Sequence, residues 1–100
     1  MHGTQTVTPS LNINECLNGW LLEWQLYVGG APNNTDIMQT PIFKSVVNAH
    51  NGKGLSIGIG IYQDTPIRKY LFATPTQIKG ADLNNTGISH NFVLTAVYAF

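Results

Sequence analysis

Apolar and mixed positions alternate along "WLLEWQLYV" with the period of a strand. Trp20, Leu22, Trp24, Leu26 and Val28 fall on one face, and Leu21, Glu23, Gln25 and Tyr27 on the other. The first face is wholly apolar, which predicts a strand with one side on a core and both tryptophans inside it. "LSIGIGIYQ" repeats the pattern: Leu55, Ile57, Ile59 and Ile61 make an aliphatic face, opposite Ser56, Gly58, Gly60 and Tyr62. Glycines inside a strand mark a close approach, here expected to be a large side chain laid over them, with a neighbouring backbone or a ligand as the alternatives. At the end of the chain, "NFVLTAVYAF" places Phe92, Leu94, Ala96, Tyr98 and Phe100 on one face.

Between these strands the chain is punctuated by turn signals. "GGAPNNTD" and "GADLNNTGISH" are polar loops, "HNGKG" is a tight turn, and "QDTP" is a break before "IRKYLFA". "TQTVTPSLNI", "IMQTPIF" and "TQIKG" read as further extended segments, with Pro9 marking an edge or bulge. "KSVVNAH" fits one helical turn or a short strand equally well. Seven or eight short strands without a convincing helix predict an all-β fold, an antiparallel β-sandwich (a barrel being the other closed form). Residues 1–10 form a lead segment with the first strand, and residues 11–100 the domain proper. Met1-His2-Gly3 reads as a remnant joined ahead of it.

One hundred residues suffice for one domain with a modest core. Charge changes the picture. Only 10% of residues are charged, against about 25% in an ordinary domain, and five basic residues cancel five acidic ones. No basic surface exists to neutralise phosphates or meet anionic lipid, so neither nucleic acid nor a membrane is expected as a partner. No apolar run approaches the roughly 18 residues of a spanning helix. The single cysteine, Cys16, excludes an internal disulfide and is expected to be a buried hydrophobe or a free thiol.

Catalytic motifs are nearly absent. His2, His50 and His90 are scattered, Ser89-His90 has no third orienting group, and most of the acids sit beside turns. No catalytic residue, cofactor or metal site is expected. The sequons at Asn33 and Asn84 are read as loop composition. What remains is recognition: aromatic rings cover the apolar face of a sugar, while amides and carboxylates take its hydroxyls. Tyr27, Asn33, Asn34 and Asp36 combine these groups on one strand end and its loop and are the candidate ligand-binding residues; Tyr62, Asp64 and Tyr70 flank another.

The order of "NECLNGWLLEWQLY", "TPIFKSVV", "GKG", "KYLF", "TQIKG" and the closing "FVLTAVYAF" resembles a C-terminal module. That module ends tail-fibre, baseplate and other minor structural proteins of phages and prophages of Gram-positive bacteria. The likeness spans roughly residues 11 to 100. It implies a receptor-binding β-sandwich head at the tip of a homotrimeric fibre, carried on the virion among other tail or baseplate proteins. Its expected partner is a host cell-wall saccharide or teichoic acid, and no catalysis is implied. In such a trimer, part of the Trp20/Trp24 face or Phe100 would meet the neighbouring subunit. The pattern departs from the module in lacking an Asp or Ser soon after the second tryptophan, and in its glycine-rich "LSIGIGIYQ". The alternatives are a structural trimerisation or capping tip and a free lectin-like module.

Overall fold

The computed structural model describes all residues, Met1–Phe100. Seven strands form two antiparallel sheets. The strands are β1 (Thr6–Val7), β2 (Gly19–Leu26), β3 (Met38–Phe43), β4 (Gly54–Tyr62), β5 (Thr65–Ala73), β6 (Ile78–Gly80) and β7 (Phe92–Ala99). The order is β1-β6-β5-β4 in one sheet and β3-β2-β7 in the other. This is the β-sandwich that the strand pattern predicts. The ambiguous segment is a short helix, α1 (Lys44–Ala49), whose Val47 is buried in the core. No helix is long and apolar enough to cross a membrane.

The core lies between the sheets. Trp20, Leu22, Trp24 and Leu26 face Ile59, Ile67, Leu71 and Ile78 across it. Val28 does not continue the buried face: the strand has ended, and Val28 is exposed in the loop. Two bulges break the alternation that the sequence suggests. In β4 the register with β5 shifts between Gly58 and Gly60, so Ile59 is the extra residue. Ile61 is thereby turned out to 68% exposure, and Tyr62 turns in to pack edge-on against Phe92. In β7 the pairing with β2 skips Thr95, so Val97 joins the core and Tyr98 faces out.

The glycines of β4 differ. A side chain at Gly54 would meet the Tyr70 ring and one at Gly60 the Met38 thioether, whereas Gly58 faces open space. The β4–β5 hairpin turns on Gln63 and Asp64, both with positive φ, as a two-residue turn of this hand requires.

The first residues are built into the fold. Leu94 donates its N–H to Met1 O at 2.8 Å, Gly80 donates to Gln5 O at 3.0 Å, and Gly3 is buried. A Cβ at Gly80 would strike Gly3 O, a backbone atom that moves only if the arm moves. Gly80→Ala is therefore expected to cost about 1–3 kcal/mol as an overpacking substitution. Urea denaturation checks this; a midpoint unchanged from the parent would show that the arm is not seated there.

Candidate functional site

Strand β5 carries a groove on its outer face. Its inward face is Ile67, Lys69, Leu71 and Ala73, so Arg68, Tyr70 and Phe72 point outward. The Tyr70 and Phe72 rings meet edge to face at 5.8 Å. On the neighbouring strands, Ser56 stands opposite Tyr70, Gly58 opposite Arg68, and Lys79 opposite Phe72. The small residues of β4 leave the aromatic pair uncovered from that side.

The wall of the groove is the segment 82–91, folded as two 3-10 turns (Asp82–Asn85 and Gly87–Asn91). Asn84 pins it: Oδ1 accepts from Tyr70 N at 2.8 Å, and Nδ2 donates to Tyr70 O at 2.9 Å and to Gly3 O at 3.2 Å. Ser89 pins the second turn by donating its hydroxyl to Arg68 O. Between wall and sheet lies a cleft of about 570 Å³, lined by Ser56, Arg68, Tyr70, Leu83, Thr86 and Ile88 among others. A second hollow, lined by Thr4, Phe72, Lys79 and Asp82, shares Tyr70 and Leu83 with the first. Leu83, 64% exposed, stands between them. The groove thus offers two aromatic rings, two of the five basic side chains, one carboxylate at Asp82, and hydroxyls from Ser56 and Thr86. That set can cover the apolar face of a sugar and hold oxygen or anionic substituents beside it.

Beneath the wall lies Lys69, 0% exposed and with its amine held by backbone carbonyls alone. Nζ donates to His2 O at 2.9 Å and to Ser89 O, and sits 5.5 Å from the centre of the Trp24 ring. Burial lowers its pKa from 10.5 to about 8. A lysine and an asparagine are the two buried polar residues of the domain, and both bind the N-terminal arm.

The residues singled out from sequence lie elsewhere. Asn33, Asn34 and Asp36 share the exposed loop after β2, and Tyr27 stands at its base. The Tyr27 ring stacks on His2 at 4.7 Å, and the Asn33 side chain accepts from Val28 N at 3.0 Å, which shapes the turn. Asn34 and Asp36 hold positive φ, a conformation their short polar side chains tolerate. None of the four lines either hollow. Of the other cluster, Tyr70 is in the groove, Tyr62 packs on the core and Asp64 is in the hairpin turn. Asn84 is buried with its amide engaged, so that sequon serves the fold.

Arg68, Phe72 and Lys79 went unnoticed in the sequence because nothing there fixes which face of β5 is outer. Cys16 is buried, its thiol 3.7 Å from Asn12 O, and no cluster of three or more potential metal ligands occurs. No protein-family model matches the chain, and no curated protein or solved structure matches it. Fold and site define a small two-layer β-sandwich bearing one aromatic, cationic groove.

Proposed function

We propose that this domain is a non-enzymatic recognition head that adsorbs to a host cell-wall saccharide or teichoic acid. The groove is its seat, on the tail or fibre tip of a virion. The observation that supports the reading is the outer face of β5, where Tyr70 and Phe72 stand between Arg68 and Lys79 on a rigid sheet. Rings on a strand lose little entropy when a sugar docks, and the cations suit phosphate substituents.

A homotrimer suits the opposite sheet. Pro41, Leu21 and Tyr98 stand in register across β3-β2-β7, and the Phe43 and Phe100 rings meet at 5.8 Å beside them. Burying such a strip against copies would stabilise a charge-poor domain and multiply weak sites. Trp20 and Trp24 are buried within their own subunit, which leaves Phe100, and not the tryptophan face, for that contact.

The test combines solution mass by light scattering with sedimentation on Gram-positive cell walls. The parent is expected to sediment as a trimer. Arg68→Ser/Lys79→Ser is expected to weaken wall binding by about ten-fold or more, the size of a lost hot spot. Full retention by that variant would remove the groove from the reading. A trimer that ignores every wall would favour the structural tip, and a monomer that binds sugars the lectin-like module.

A further inference from the structure

The N-terminal arm stands directly behind the groove wall, and its polar contacts hold both. His2 O and Ser89 O share the Lys69 amine, and Gly3 O takes the Asn84 amide that pins the wall to Tyr70. The arm itself is closed by Gln5, whose Oε1 accepts from His2 N at 3.2 Å and from Gly3 N at 2.9 Å. With its oxygen so engaged, Gln5 turns its NH₂ group toward His2 Nε2, 3.1 Å away. The ring nitrogen must therefore be the acceptor, and this network assigns the proton to Nδ1. A second proton on the ring would set two donors face to face.

We propose that the arm is an acid-released strut: protonation of His2 ejects Met1–Gln5 from the fold and unseats the 82–91 wall of the groove. As a regulation of ligand binding, this rests on the groove being the binding site; as a conformational change, it does not.

Burial and neighbouring positive groups oppose the charged ring. The Tyr27 ring, just past the end of β2, stacks on it, the His90 ring of the wall lies 5.0 Å away, and the Met1 amine and Lys69 of β5 add positive charge. Desolvation, then His90, the Met1 amine and Lys69 lower the pKa of His2, and no carboxylate counters them. A base whose pKa is lowered by folding binds protons more readily when released. The arm is thus held above the ordinary histidine value of about 6.5 and loosened as pH falls below it.

Amide hydrogen exchange reads the strut directly, each protection factor being referred to β2 amides at the same pH. Leu94 and Gly80 donate to the arm, and Tyr70 N and Ala81 N report the wall. Between about pH 7.5 and about pH 5, arm and wall amides are expected to lose about ten-fold in protection relative to β2. Gln5→Glu keeps the acceptors for His2 N and Gly3 N and offers a carboxylate oxygen to the charged ring, so it should abolish the loss. His2→Phe, which keeps the stack on Tyr27 and cannot titrate, should abolish it too. Arm protection that tracks β2 in the parent, or falls equally in both variants, overturns the proposal, as does a wall that stays protected while the arm opens. A domain that opens in this way yet binds no cell wall at any pH would sink the proposed function and leave the strut standing.

Discussion

Trp24→Ala is expected to cost about 3–5 kcal/mol, a large part of the roughly 5–15 kcal/mol that holds a domain of this size together. The ring is 0% exposed in the middle of β2, where it packs in the core between the sheets and lies beneath the Lys69 amine. Its removal leaves a cavity that neither sheet can close, because β2 is the central strand and is hydrogen-bonded on both sides. The indole N–H has no partner, so Trp24→Phe removes an unsatisfied donor as well as volume. The two terms oppose each other, and that variant should stay within about 1.5 kcal/mol of the parent. Trp20 is different: its indole donates to Leu11 O at 3.0 Å and has no such compensation. Guanidinium denaturation of the alanine and phenylalanine variants checks the pair. A loss below about 1 kcal/mol for Trp24→Ala would contradict its place in the core.

The same strand shows how far the sequence could be read. The period of two on β2 survives in the structure from Trp20 to Leu26, because the extra residue of its ladder with β7 lies on β7 and not on β2. In β4 the sequence alternates just as cleanly, and in β7 both faces are mostly apolar; Ile61 and Tyr98 end on the outside. A bulge inserts one residue and reverses the phase of everything after it; the glycines of "IGIGIY" are compatible with one without fixing its place, and "LTAVYA" carries no mark of it. β5 is ambiguous for another reason. Its two faces read Ile-Lys-Leu-Ala and Arg-Tyr-Phe, so each carries a cation. The structure buries the lysine face, because carbonyls of distant segments supply the amine with partners. Of the groove, Tyr70 alone was legible in the sequence, and the wall reads there as an asparagine-rich loop. The loop residues Asn33, Asn34 and Asp36 were legible as turn formers, and two roles, turn and ligand, look alike in composition.

Raising the pH from about 8 to about 10.5 should stabilise the domain by roughly 2–3 kcal/mol through Lys69 alone. The folded amine titrates near 8 and the unfolded one at 10.5, so in that interval the unfolded chain binds the additional proton. Stability then rises with pH, opposite to the behaviour of a lysine held by a carboxylate. At neutral pH the full desolvation penalty is in force, and the two carbonyls and the Trp24 ring offset only part of it. The contribution is isolated by difference. Lys69→Met, of similar length and without charge, should lack this rise while losing the link between His2 O and Ser89 O. Its stability at neutral pH is the balance of two opposed quantities, a relieved buried charge and a His2 carbonyl left without a donor (Ser89 O keeps the N–H of Phe92), and is expected to lie near that of the parent. Urea denaturation of both proteins across the alkaline range decides the matter. Parallel curves would mean that Lys69 is solvated, and the coupling between arm, wall and sheet would then have to run through Asn84 alone.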